Sequence, residues 1–198
     1  MKKIGLTGGI STGKSTAIDL IIKKGFKVID SDNIVKQILK YNKDVYNFVL
    51  KEFGKEYVDD KSILNKRLGQ YIFSNKNERI KYEKFIMPII IREINKEFLF
   101  HEKNKEKLCV LDAPTLIEQN LHKNMDYIVL VWTDKKKQLE RLINRDKIDE
   151  ISAMLRINAQ MDIEEKKEYA DYIIDNSTTK ERLEEQIEHL CLFLNTLK

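Results

Sequence analysis

Eight residues near the start of this chain constrain it more than any others. Gly8-Gly9-Ile10-Ser11-Thr12-Gly13-Lys14-Ser15 fit the spacing G-x-x-x-x-G-K-[ST], in which backbone N–H groups cradle a polyphosphate at the positive end of a helix. In such a loop Lys14 reaches the β- and γ-phosphates and the Ser15 hydroxyl ligates Mg²⁺. The candidate nucleotide contacts are therefore Gly8, Gly9, Ser11, Thr12, Gly13, Lys14, Ser15 and Thr16. The mechanism requires a strand before the loop and a helix after it. Lys3-Ile4-Gly5-Leu6-Thr7 reads as a short buried strand. From Ser15 to Lys24, Ala17, Ile18, Ile21 and Ile22 share a helical face that Gly25 closes. Four of the seven glycines fall within the first thirteen residues, so glycine serves backbone approach here rather than linkers.

A chain of 198 residues suits one α/β domain with an insert. The cysteines, Cys109 and Cys191, lie in apolar surroundings without C-x-x-C spacing, which points to a reduced intracellular compartment. No signal-peptide pattern precedes the first strand, and no apolar run is long enough to span a bilayer. The expectation is a cytoplasmic protein with no membrane partner. Net charge is +4, from 36 basic and 32 acidic residues. That balance suits anionic substrates but supplies no basic stripe for nucleic acid. Lys135-Lys136-Lys137, the densest cluster, reads as a solvated helix start. Arginine is scarce, 7 residues against 29 lysines, so each deserves inspection for the bidentate phosphate contacts that lysine cannot copy.

Apolar runs alternate with helical patterns along the chain. Strands are expected at Phe26-Lys27-Val28-Ile29, at Leu108-Cys109-Val110-Leu111, from Tyr127 to Trp132 and at Tyr172-Ile173-Ile174. Helical periodicity occupies 32–40, 135–145, 149–160 and 179–195. This alternation predicts an α/β fold, a mainly parallel five-stranded sheet covered by helices on both faces. Ligands in such folds bind beyond the carboxyl ends of the strands. From about 41 to 106 no strand is expected. Helical patterns run from Val45 to Phe53, from Ile63 to Phe73 and from Glu78 to Phe100, the last interrupted near Pro88. This stretch reads as a helical substrate-binding insert in a domain spanning 1–198.

Further candidates follow the strands. Asp30-Ser31-Asp32 comes after the second one. One of the two carboxylates is expected to face the phosphate site. Asp32 is assigned to accept a proton from an attacking hydroxyl, Asp30 stays open, and one or both could cap the following helix. Asp112, ahead of Ala113-Pro114, either supports Mg²⁺, directly or through water, or caps its loop. Arg141 and Arg145 share a helical face, and Arg156 follows on the next helix. Arg145 and Arg156 are assigned to a polar lid, within about 141–158, that stabilises charge on the moving phosphoryl group. Arg141 is read as a surface ion-pair residue. Asp175-Asn176-Ser177 ends the last strand at the same edge, either as a simple turn or with backbone and amide groups that could contact an adenine ring. His101, His122 and His189 are scattered without metal spacing.

Taken in order, these blocks resemble the dephospho-CoA kinase family. The likeness runs through Ile4 to Ile10, Gly13-Lys14-Ser15-Thr16, Val28 to Asp32 and Leu111-Asp112-Ala113-Pro114-Thr115-Leu116-Ile117-Glu118. It continues through Arg145-Asp146, Arg156-Ile157-Asn158-Ala159-Gln160 and Ala170 to Asn176. The resemblance implies ATP-dependent phosphorylation of the ribose 3′-hydroxyl of dephospho-CoA, the last step of coenzyme A synthesis. It also implies Asp32 as general base, Lys14 as phosphate electrophile, Ser15 as a Mg²⁺ ligand and Arg145 as a lid contact. Asn176 would lie near the ATP base, and the helical insert would hold dephospho-CoA. Asp30-Ser31-Asp32 in place of Asp-Ala-Asp is a minor departure from the family pattern, and three others are larger. Ser11 stands where glycine is usual in the loop, Met87-Pro88 replaces His-Pro, and Asn65-Lys66 replaces Asp-Arg. Ser11 must therefore take a backbone conformation that glycine reaches more easily.

Other small-molecule P-loop kinases, acting on a nucleoside monophosphate, shikimate or gluconate, would share the loop and the lid. The D-x-D and D-A-P-x-L-x-E blocks favour dephospho-CoA. A GTP-dependent switch should carry N-K-x-D and D-x-x-G segments, and neither occurs. The balanced charge, without an aromatic-basic stripe, disfavours a nucleic-acid-binding ATPase. Oligomeric state has no signature in the sequence.

Overall fold

A computed structural model describes residues 1–59 and 62–197. They form two compact units, one from residues 1–29 and 100–197 and the other from Asp30–Leu99.

The first unit is built on a five-stranded sheet. Its strands are β1 (Lys2–Gly8), β2 (Lys27–Asp30), β3 (Leu108–Asp112), β4 (Tyr127–Trp132) and β5 (Tyr172–Asp175), in spatial order β2-β3-β1-β4-β5. The β1–β3, β1–β4 and β4–β5 pairs are parallel. All five expected strands are present, each within two residues of its expected ends, and the fold is the α/β sheet that the alternation predicts. The central strand β1 has both neighbours in register, Ile4 opposite Val110 and Tyr127 and Leu6 opposite Asp112 and Val129. The chain runs from β1 to one side and returns to the other, so the crevice of this sheet opens beyond the carboxyl end of β1.

Two helices cover one face. α1 (Lys14–Lys23) contributes Ala17, Ile18 and Ile21; α9 (Lys180–Thr196) contributes Leu183, Ile187, Leu190, Cys191 and Leu194. They pack on Ile4, Leu6, Val110, Val129, Val131 and Ile174, alternate residues of the strands. α1 ends at Gly25, whose φ of 89° lets its N–H turn back to the Ile22 carbonyl at 2.9 Å. Beyond β4 lie α6 (Lys135–Asp146), α7 (Glu150–Asn158) and the short α8 (Ile163–Lys167). α8 has no counterpart in the sequence reading, because five residues are too few to show a period.

The second unit is helical, with α2 (Ser31–Tyr41), α3 (Lys43–Glu52), α4 (Asn65–Ser74) and most of α5 (Lys76–Lys103). It begins at Asp30, because α2 follows β2 without a break. Aromatic packing holds it together. Phe48 and Phe85 stack with ring centroids 3.8 Å apart, and Phe53 meets Phe48, Tyr71 and Tyr82 edge-on at 5.9–6.2 Å. The expected interruption near Pro88 does not occur, and α5 is continuous for 28 residues. Tyr82, Ile86, Ile90, Ile94 and Phe98 recur every four residues on its buried side, while Pro88 faces solvent. Burial on both sides of the proline outweighs the one hydrogen bond it cannot make. Among the described residues no helix is long and apolar enough to cross a membrane.

Candidate functional site

The loop between β1 and α1 has a backbone that side chains resist. Ser11 sits at φ 59° and Gly13 at φ 88°, both left-handed, so Ser11 carries a cost of about 1 kcal/mol that glycine would escape. The strain is legible in the serine itself, which stands where a left-handed backbone favours glycine. The Ser11 hydroxyl oxygen is also buried without a hydrogen-bond partner. Gly13 caps α1 and contributes no side-chain bond to its first turn. The first N–H groups of a helix have no partner within it, and in this one they face the loop.

The loop carbonyls, by contrast, have partners, one within the loop and two outside it. Gly9 O accepts from Thr12 N at 3.3 Å and Thr12 Oγ1 at 3.0 Å. Thr12 O accepts from Asn176 Nδ2 at 2.7 Å, and Gly8 O from Lys166 Nζ at 3.3 Å. Asn176 is thus buried against the loop rather than directed at open space. Its own carbonyl accepts from Arg141 at 2.9 Å. Arg141 is therefore a brace for the β5 end and not the surface ion-pair residue expected, because its guanidinium meets a backbone oxygen that β5 leaves unpaired.

Lys14 forms an ion pair with Asp112, the last residue of β3. Both side chains are mostly shielded from solvent. Ser15 and Thr16 follow in the exposed first turn of α1. Deeper in the same edge lies Lys166, fully buried, with Glu118 Oε1 at 2.9 Å and Pro114 O at 2.8 Å. Burial pulls its ammonium below the usual lysine range; the Glu118 carboxylate opposes this and the Lys14 charge adds to it. Sequence reasoning missed Lys166. Nothing distinguishes it in Glu164-Glu165-Lys166-Lys167, and its neighbour Lys167 lies over the Trp132 ring with Nζ 3.8 Å from the centroid.

The segment assigned to a lid is a helical hairpin. α6 ends at Lys147, left-handed at φ 55°, and Asp149 caps α7 through Ser152 N at 2.8 Å. Arg145 and Arg156 converge on one carboxylate: Arg145 Nε lies 2.7 Å from Asp146 Oδ1 and Arg156 NH1 2.6 Å from Oδ2. Both arginines are half-exposed. Leu142, Ala153 and Ile157 hold the hairpin together, and Ile10 of the loop packs against them. Ile10 N also donates to Gln160 Oε1 at 3.0 Å, so loop and hairpin are joined by apolar and polar contacts alike.

The remaining candidates lie in the helical unit. Asp30 Oδ1 accepts from Asn33 N at 2.9 Å and caps α2, whereas Asp32 stands in its first turn. Asn65 and Lys66 open α4, and Met87 and Pro88 lie in mid-α5. Among the described residues no three His, Cys, Asp or Glu side chains gather as a self-contained metal site. Ser15 and Asp112 offer the hard oxygen donors that suit a Mg²⁺ ion held mainly by phosphate and water.

Known proteins resemble this chain along nearly its whole length. The dephospho-CoA kinase family model matches residues 2–181. A dephospho-CoA kinase of Clostridium tetani is 43% identical over 197 residues, covering 98% of this chain and 87% of that protein. One from Clostridium perfringens is 45% identical over 194 residues, covering 98% of both. The solved dephospho-CoA kinase of Campylobacter jejuni superimposes with a TM-score of 0.77 at 28% identity, covering 99% of this chain and 98% of that one. With a phosphate loop, an acidic strand end and an arginine-bearing hairpin at one sheet edge, and a family match across its length, this chain belongs to the dephospho-CoA kinase family.

Proposed function

We propose that the chain transfers the terminal phosphoryl group of ATP to the ribose 3′-hydroxyl of dephospho-CoA, with the loop Gly8–Ser15 and Thr16 as the triphosphate site. The activity follows from the family. The observation that carries the site is the loop itself: Gly8 O and Thr12 O are held from outside by Lys166 and Asn176, which turns the Gly9 and Gly13 N–H groups away from those side chains and leaves them to an anion. Lys14 would move from Asp112 toward the β- and γ-phosphates, and Ser15 and Asp112 would hold Mg²⁺. A bound Mg²⁺ would neutralise charge between those phosphates. Asn176 would bear on ATP by bracing the loop beneath it.

A sugar hydroxyl needs positioning and charge neutralisation more than covalent catalysis. Asp32 is proposed as the base that takes the hydroxyl proton. Asp30 suits that role less well, since its carboxylate already caps α2. Arg145, joined by Arg156, would leave Asp146 to meet the charge that spreads over the moving phosphoryl group. The helical unit would bind dephospho-CoA. A cytoplasmic location, where ATP is made available, accords with this chemistry.

The test is mass spectrometry after incubation with Mg-ATP and, separately, dephospho-CoA, nucleoside monophosphates, shikimate and gluconate. Coenzyme A from dephospho-CoA, with the other acceptors unchanged, is the expected result. Product from another acceptor in its place would overturn the substrate assignment and keep the phosphate site.

A further inference from the structure

Lys166 is fully buried at the phosphate-binding edge, yet the loop motif gives it no task. A buried ammonium is tolerated when all three of its N–H donors find oxygen acceptors. Here they do: Glu118 Oε1 at 2.9 Å, Pro114 O at 2.8 Å and Gly8 O at 3.3 Å. The two carbonyls belong to different arms of the site. Gly8 is the last residue of β1 and the first of the loop. Pro114 lies just past Asp112, and its carbonyl also accepts from Thr7 Oγ1 at 3.1 Å. One nitrogen therefore ties the end of β1 to the segment that carries Lys14's partner.

Peptide geometry gives that tie a consequence. In a trans peptide the C=O and the next N–H point in opposite directions. Holding Gly8 O on Lys166 turns the Gly9 N–H away from the lysine. At the far end of the loop, Asn176 does the same to the Thr12–Gly13 peptide. A flipped Gly8–Gly9 peptide would present a carbonyl oxygen where an anion expects a donor.

We propose that Lys166 is a positioning residue for phosphoryl transfer, whose ammonium locks the Gly8 and Pro114 carbonyls so that the loop N–H groups and the Lys14–Asp112 pair are preset for the triphosphate. It acts through the loop and touches no reacting atom. The inference rests on the reading of this loop as the ATP site. Glu118 completes the device: its Oε1 neutralises Lys166 and also accepts from Met161 N at 3.2 Å, which anchors the segment leading into α8.

Lys166→Met alone would strand the Glu118 carboxylate and risk unfolding. The test is Lys166→Met/Glu118→Gln, which removes both charges at nearly constant volume. It is compared with the native protein by thermal melting, by calorimetric titration with Mg-ATP in the absence of acceptor, and by steady-state kinetics. The expected double variant stays folded. Its Kd for ATP rises about tenfold or more and kcat falls by a similar factor, while KM for dephospho-CoA stays within about twofold. An unchanged Kd for ATP in the folded variant overturns the proposal. A large drop in melting temperature with native-like Kd in the folded fraction also overturns it and makes the pair merely structural. The titration needs no acceptor, so it decides the role of Lys166 even if no coenzyme A is formed, an outcome that counts against the activity alone.

Discussion

Asn176 and Gly13 compete for one space. A Cβ on residue 13 would stand well inside contact distance of Asn176 Nδ2, the atom that donates to Thr12 O at 2.7 Å. The asparagine can brace the loop because the next residue has no side chain.

Gly13→Ala should accordingly displace the amide and strain a φ of 88°. The strain amounts to about 1–2 kcal/mol, and the lost hydrogen bond adds about 1 kcal/mol. ATP affinity is expected to fall about tenfold or more. Asn176→Ala opens the space, so the double variant should lose less than the sum of the two single changes. Strictly additive losses, measured by ATP titration, would mean the two residues act independently.

The two carboxylates after β2 should separate by what each supports. Asp30→Asn keeps an acceptor for Asn33 N, and its melting and turnover should stay near native. Asp30→Ala loses the cap and about 1 kcal/mol of stability in chemical denaturation. Asp32→Asn should retain ATP binding while kcat drops by about 10²–10⁴. Near-native turnover in that variant would remove Asp32 as the base.

Asp146 should titrate below the ordinary aspartate value of 3.8, first because Arg145 donates to it and then through the charges of Arg145 and Arg156. A depressed folded value means the pairing is fully present above 3.8 and is lost as pH falls through the lower folded value. Carboxyl ¹³C NMR should place the midpoint below that of a free aspartate and move it back upward in Arg145→Met. An Asp146 midpoint that ignores Arg145→Met would contradict the clamp. The pairing stays charged at neutral pH, so a transferring phosphoryl group must draw the arginines off Asp146, and Arg145→Met should lower kcat by about a hundredfold.

Pro88 faces solvent inside a continuous helix. Pro88→Ala restores a donor and removes the ring's clash with the preceding turn, so it should stabilise the helical unit. The propensity difference sets an upper bound of about 3 kcal/mol. A denaturant midpoint that moves downward would show that neighbours in α5 have adapted to the proline.

Much of the site was legible because its signals are local. The loop is a contiguous pattern whose strand and helix flanks carry their own periods. The left-handed strain at Ser11 follows from seeing serine where the turn wants glycine. Asp112 ends β3 and Asn176 directly follows β5, positions legible in sequence because strand ends share one edge in a parallel sheet. The reading misjudged two features that local patterns describe poorly. Proline ordinarily marks a break, but a buried face repeating every four residues carried α5 through it. Arg141 looked like a surface charge because the β5 carbonyl it binds lies 35 residues away in sequence.

Local sequence dictates a parallel sheet behind a phosphate-loop pattern, since hydrophobic period, glycine placement and strand-end acids are properties of neighbouring residues. Which polar groups hold that loop in shape depends on contacts between distant segments. Lys166 and Lys167 are chemically identical and adjacent, yet one is sealed beneath Gly8 and Pro114 and the other lies over the half-buried Trp132 indole. The difference is which side of a short helix meets the sheet edge. That is settled by packing between segments far apart in the chain, where desolvation makes each unpaired donor costly and so selects the one arrangement that satisfies all three.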